Sequence, residues 1–263
     1  MTSQKIQLSI GIMTFNEEAN IRQCLESADF ADQVIVVDSG STDKTVEIAQ
    51  LMRAEVFIES AWQGFGEQRN RILKRVKHPH VFFLDADEVI SETLKNELIQ
   101  AIKANTDRVW EVTCTEVAYG KTLKYMKATK GMPRLFETDK LLGFEGIVHE
   151  KPILKSSDKT IECFRGRLLH YSRPSIIRSL EKLSLYAKLG AQKRLHAGKR
   201  GGLLRGGLSA SASFFKFYIL RRGFTGGAQG FLFCFFLALE CFFRYVAMTY
   251  DHDALLNPKQ KNG

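Results

Sequence analysis

The stretch Val81-Phe82-Phe83-Leu84-Asp85-Ala86-Asp87-Glu88 constrains this chain more than any other. Four apolar residues without a polar break read as a strand buried on both faces of a parallel sheet. They run straight into two carboxylates one residue apart, with a third alongside. Ligands of open parallel sheets gather at the carboxyl ends of the strands, which puts these acids at the mouth of a cleft. Hard divalent cations such as Mg²⁺ favour one or two carboxylates plus substrate phosphates over a closed protein cage. The plainer alternative is an N-cap and acidic first turn, because Ser91 soon opens a helical pattern. The stretch alone separates these readings only weakly, so its neighbours decide.

Gln7–Met13 is an apolar strand that breaks into Thr14-Phe15-Asn16-Glu17-Glu18, and a helix carrying Ile21, Cys24 and Leu25 follows. Val34–Val37 is a second buried strand, ending in Asp38-Ser39-Gly40-Ser41-Thr42-Asp43-Lys44-Thr45. Asp43 or Thr42 caps a helix over Val46–Met52, and Glu55–Ile58 is a third short strand. Gly64-Phe65-Gly66-Glu67-Gln68-Arg69-Asn70 opens the helix that leads to Val81. Strands alternating with helices of this length mean βαβ units in a right-handed, parallel sheet. Polar clusters close three successive strands at the same end, as a nucleotide cleft requires.

Thr-x-Asn-Glu after the first strand, Asp-Ser-x-Ser-x-Asp after the second and Asp-x-Asp after the fourth resemble the pattern of GT-A fold, family 2 glycosyltransferases. Pro133-Arg134-Leu135-Phe136, Phe144 through Pro152, His170-Tyr171-Ser172 and a basic aromatic tail narrow the likeness. They are similar to bacterial lipopolysaccharide-core β-1,4-glucosyltransferases that act on the first heptose, the WaaE/LgtF type. The resemblance implies an α/β, GT-A, mostly parallel sheet with flanking helices and a C-terminal helical, membrane-associating extension. It implies an inverting transferase that takes a hexose from a nucleotide sugar, UDP-glucose foremost, to a lipid-linked saccharide. A polyprenyl-phosphate sugar transferase of the same fold, or a non-catalytic nucleotide-binding module, stands as the alternative.

The same resemblance assigns residues. Asp87, assisted by Asp85, holds Mg²⁺ or Mn²⁺, and in the family the corresponding acids divide between ribose and metal. Asp38 matches the uracil-binding aspartate, Thr14, Asn16 and Glu17 the loop lining the nucleoside, and Arg69 a base-side or phosphate-side arginine. Glu150 fits the place of the general base, with Glu145 the competing acid and His149 the competing base. His149 equally suits a hydrogen-bonded structural imidazole beside the acceptor, and Arg134 either holds acceptor phosphates or pairs with Glu145. Asp, Asn and Ser dominate strand-to-helix turns in any case, so one such residue alone reads as structural. Four in order, all at strand ends, reverse that.

Five cysteines without Cys-x-x-Cys spacing indicate neither a disulfide frame nor a zinc site. Met1–Lys5 shows no apolar run of a signal peptide, so the catalytic half is expected to face the cytosol. Residues 1–150 hold 18 Lys and Arg against 23 Asp and Glu, a net of −5. Residues 151–263 hold 20 against 6, a net of +14, which points that half to a polyanionic partner. Phe-rich runs at 214–218 and 231–236 lie beside Arg and Lys, which suits an anionic bilayer and is too apolar for nucleic acid. We therefore expect a catalytic domain over 1–172 and a basic, aromatic-rich helical region over 173–263, peripheral on the cytoplasmic face of the inner membrane. Gln229–Tyr250 carries Glu240 and, four residues on, Arg244. It reads first as a surface-seated helix, next as a core helix with an ion pair between the two, and last as a span, which would bury both charges.

Overall fold

The computed structural model describes residues 6–104, 108–128, 130–146, 150–156 and 160–256. Chain order is β1 (Leu8–Thr14), α1 (Ile21–Ser27), β2 (Gln33–Asp38), α2 (Thr45–Leu51), β3 (Glu55–Ile58), α3 (Phe65–Leu73) and β4 (His80–Asp85). There follow β5 (Glu88–Ile90), α4 (Glu92–Ala104), β6 (Arg108–Ala118), β7 (Lys121–Thr122), β8 (Met132–Glu137), β9 (Leu141–Glu145), β10 (Lys151–Leu154) and β11 (Thr160–Arg173). Four helices close the chain: α5 (Ile176–His196), α6 (Leu203–Phe214), α7 (Gly227–Tyr250) and α8 (His252–Leu256). It divides into two compact units, residues 1–114 with 129–170, and residues 115–128 with 171–263.

In the first unit the strand order is β3-β2-β1-β4-β8-β6-β11-β5. The first four strands are parallel, with Met13 level with both Val37 and Asp85, so Thr14, Asp38 and Asp85 end their strands side by side. From β4 onward the pairs of known register are antiparallel: Phe82 lies opposite Leu135 of β8 and Glu88 opposite His170 of β11. Glu88 is therefore in a short strand, and the acidic first-turn reading of this segment gives way to a β-turn at Ala86-Asp87. Ser91 opens α4 as expected, its hydroxyl accepting from the Leu94 amide at 3.3 Å.

Two apolar layers sandwich the sheet. Ile10, Ile12, Phe82 and Leu84 pack with α1 and α4, while Ile35, Val37, Val81 and Phe83 pack under Ile72 of α3. Gly11 lets α3 come close, because a Cβ there would stand 2.2 Å from Ile72 Cγ2, a stiff β-branched carbon.

In the second unit the hairpin at 115–128 lays Ala118, Leu123 and Met126 on Phe233 and Cys234 of α7. Gly206 of α6 faces Phe242 and Tyr245 of α7, and Ala191 of α5 shares a small core with Met248 and Leu255. Glu240 is buried in α7 and accepts from Arg173 Nη2, whose guanidinium also lies over Phe236. Burial pushes the Glu240 carboxyl up, and Arg173 pulls it back. Glu240 thus takes its hydrogen bond from Arg173 on β11, while Arg244, the ion-pair partner of the core-helix reading, adds attraction through its charge. One helical stretch among the described residues, Gly223–Tyr250, is long and apolar enough to cross a membrane.

Gly11→Ala is expected to destabilise the protein by about 1–3 kcal/mol, the usual cost of overpacking a tight contact. Denaturant unfolding measures it, and an unchanged midpoint would mean that α3 does not rest on β1 at this point.

Candidate active site

The loops after β1 and β2 are stitched together. Asp38 is fully buried; its Oδ1 accepts from the amides of Gly40 (2.9 Å) and Ser41 (2.7 Å), and its Oδ2 from the hydroxyls of Thr14 (2.7 Å) and Ser41. Asn16, at φ +54°, donates its amide to Ser41 Oγ at 2.8 Å and accepts the Thr42 amide on Oδ1 at 2.8 Å. Glu17 donates its amide to Thr45 Oγ1 (2.8 Å), and its carboxylate accepts from Asn20. Asp43, not Thr42, binds the start of α2, accepting the Thr45 amide at 3.0 Å. Thr14, Asn16, Glu17 and Asp38 are therefore brought together, held by the turn chemistry that their residue types favour.

The end of β4 is organised by two arginines. Arg134, on β8 and 2% exposed, donates from Nη2 to Asp85 Oδ2 and to Glu88 Oε1, both at 2.8 Å. Its Nε and Nη1 are buried without a partner among the described residues. Glu88 also closes the turn by accepting the Asp85 amide on Oε2 at 3.0 Å. Arg69 of α3 lies over the edge-to-face pair of Phe83 and Phe144 rings, with its Cζ 5.3 and 5.5 Å from their centroids. It donates from Nε to Glu150 Oε1 at 2.9 Å and pairs through Nη2 with Asp85 Oδ1 at 3.5 Å. Asn70 of α3 bonds the Phe144 backbone in both directions and the Gly66 amide donates to Gly146 O, which fastens β9 to the same helix, and Lys151, next to Glu150, pairs with Glu145 of that strand.

The two acids diverge, Asp85 half-buried and Glu88 buried. Burial works against the Asp85 charge, but Arg134 and then Arg69 outweigh it and hold the carboxyl well below the usual range. Burial pushes the Glu88 carboxyl up to about 7 despite Arg134, with Asp85 adding to the rise. Asp87 turns the other way, its Oδ2 3.3 Å from His170 Nε2 on β11.

The sequence profile of Glycosyl transferase family 2 matches residues 9–155, which span both stitched loops and the arginine-held acids. The chain belongs to that family. It is a glycosyltransferase, and its mixed sheet with flanking helices is the expected GT-A type. An uncharacterized glycosyltransferase of Rickettsia bellii (strain RML369-C) is 30% identical over 256 residues, covering 90% of this chain and 84% of that protein. The lipopolysaccharide core biosynthesis glycosyltransferase LpsC of Rhizobium meliloti (strain 1021) is 26% identical over 237 residues, 87% of this chain and 86% of that one. Among solved structures, S. aureus TarS 1-349 in complex with UDP is 21% identical with a TM-score of 0.40, the match covering 61% of this chain and 60% of that one.

Several expected site residues of this glycosyltransferase thus meet: Arg69, Asp85 and Glu150 in one cluster, with Arg134 completing it through Asp85. Arg134 pairs with Asp85 and Glu88, whereas Glu145 is exposed on the β9–β10 ribbon. His149 lies outside the described residues. Sequence reasoning assigned no role to Glu88 or His170, although both stood inside quoted motifs. Their only signal was a carboxylate heading the short run Glu88–Ile90 and an imidazole after Leu168-Leu169 in the long β11.

Removing the Arg134 charge leaves the buried Glu88 carboxylate without its cation and Asp85 with Arg69 alone. Arg134→Met is expected to cost about 3–5 kcal/mol in urea unfolding, and Glu88→Gln in the same chain to recover part of it. Strictly additive effects would show that the two groups do not interact.

Proposed function

We propose that the enzyme transfers a hexose, glucose from UDP-glucose, to a heptose of the lipopolysaccharide inner core, with inversion at the anomeric carbon. The observation that carries the reading is the convergence of Glu150 and Asp85 on the one buried Arg69 guanidinium, at the end of β4, in a family 2 glycosyltransferase. The likeness to LpsC over most of both chains supports the core-saccharide acceptor, and the net +14 of residues 151–263 supports a peripheral place on an anionic inner-membrane surface.

The stitched loops after β1 and β2 form the floor for the nucleoside. Asp38 meets the uracil imide N–H when the Ser41 hydroxyl turns away from Oδ2; Thr14, Asn16 and Glu17 keep the loop in shape. Asp87 and His170 present a carboxylate oxygen and an imidazole nitrogen 3.3 Å apart. The carboxylate would hold Mg²⁺ or Mn²⁺, and the imidazole beside it favours Mn²⁺, because Mg²⁺ takes oxygen ligands. The cation supplies charge neutralisation for the departing diphosphate. Asp85 stays on its arginines and keeps Arg69 facing Glu150. Glu150 then accepts the proton of the attacking hydroxyl as the new bond to the anomeric carbon forms and the bond to the diphosphate breaks.

Glu150→Gln keeps the bond from Arg69 but removes the base. UDP-sugar affinity is expected to hold while turnover falls about 10²–10⁴-fold; the same loss in Glu145→Gln instead would exchange their roles. For the cation, Mn²⁺ binding in the presence of UDP is read by water-proton relaxation. Asp87→Asn and His170→Ala should each weaken it at least about tenfold, as loss of a ligand to a two-ligand site demands, whereas undiminished binding in both would remove the cation from this pair.

A further inference from the structure

α6 carries an apolar face open to solvent. Leu204, Leu208 and Phe215 are 85%, 74% and 55% exposed, and Ile219 follows at 43% in the π-helical turn Phe215–Leu220. Spacings of four, seven and four residues put all four on one side, with Ser211 and Ala212 between them. The other side of α6 is engaged, Gly206 lying against Phe242 and Tyr245. Exposed Arg205 and Lys216 flank the apolar face.

The longer and more apolar α7 is a poorer candidate for insertion. Its Phe233, Cys234, Phe236, Ala238 and Met248 are buried within the second unit, and Glu240 is bound by Arg173. Pulling α7 into lipid would break that bond and uncover the unit's core. α6 inserts without any such loss.

Charge selects what covers the face. Residues 182–239 include ten Lys or Arg and no Asp or Glu. A second copy of the chain would set this basic field against itself, whereas an anionic lipid surface complements it. The face carries a single aromatic ring, Phe215, among three aliphatic side chains, which is no row of platforms for successive nucleic-acid bases.

We propose that the Leu204–Leu208–Phe215–Ile219 face of α6 seats in the acyl boundary of an anionic bilayer, with Arg205 and Lys216 on the lipid phosphates. The inference deepens the lipid-linked acceptor reading and rests on it. The interaction has an electrostatic part that salt screens and an apolar part that it does not.

The test uses the full chain, floated with vesicles of phosphatidylcholine alone or mixed with phosphatidylglycerol. The parent should float with the anionic vesicles, and Leu204→Ser with Leu208→Ser should weaken this at least about tenfold. Arg205→Gln with Lys216→Gln should flatten the salt dependence. In Leu208→Trp, lipids brominated on the acyl chain should quench fluorescence beyond the quenching of Trp62 and Trp110 in the parent. Unchanged flotation of the serine variant, or no added quenching at position 208, would overturn the proposal. So would a dimer in sedimentation velocity that the serine variant abolishes, because a second copy would then occupy the face. UDP-sugar hydrolysis, measured in every variant, keeps the two readings apart. Its absence from the parent would sink the transferase reading alone, and its persistence without vesicle binding would sink only the bilayer face.

Discussion

The site depends on a guanidinium buried where no charge could stand alone. Arg134 reaches from β8 under the end of β4 and is the shared cation of Asp85 and Glu88. Two carboxylates three residues apart, one of them 2% exposed, could not both stay ionised in that setting without it. The outcome is unequal: Asp85 keeps its charge firmly while Glu88 is drawn toward neutrality. Asp85 in turn orients Arg69, and Arg69 holds Glu150, so one buried cation fixes the geometry of a carboxylate on a loop 16 residues further along the chain. Asp87, in the turn after Asp85, has its Oδ2 3.3 Å from His170 Nε2.

How much of this the sequence disclosed follows from the range of each interaction. β1 to β4 were legible because each parallel strand is a continuous apolar run and each closes in a polar cluster. The loops after β1 and β2 were legible for the same reason, and their reading as turn chemistry holds, since Asp38 is engaged by three donors of its own turn and by the Thr14 hydroxyl. Glu88 and His170 were not, because their roles come from antiparallel pairing of a three-residue strand with one about 80 residues away. Arg134 was noticed, but whether it met acceptor or acid turned on β8 lying beside β4. The hydrogen-bond partner of Glu240 was missed for a related reason: helical spacing offered Arg244, whose charge does act on it, and tertiary packing added Arg173.

The two units solve the burial of charge in similar ways. In the first, an arginine from one strand neutralises acids at the end of another; in the second, Arg173 at the end of β11 neutralises an acid within an apolar helix. Removing either partner leaves an uncompensated charge indoors, so both pairs tie sequence-distant segments together. The surface of the second unit is the opposite case, with cations left in solvent and long apolar side chains uncovered beside them.

Crystals grown with UDP and Mn²⁺, measured at the manganese absorption edge, test the central claim most directly. The account predicts an anomalous peak bonded to the Asp87 carboxylate and His170 Nε2, with Asp85 still held by Arg134 and Arg69. A peak bonded by Asp85 with the arginines displaced, or one out of reach of Asp87, would contradict it.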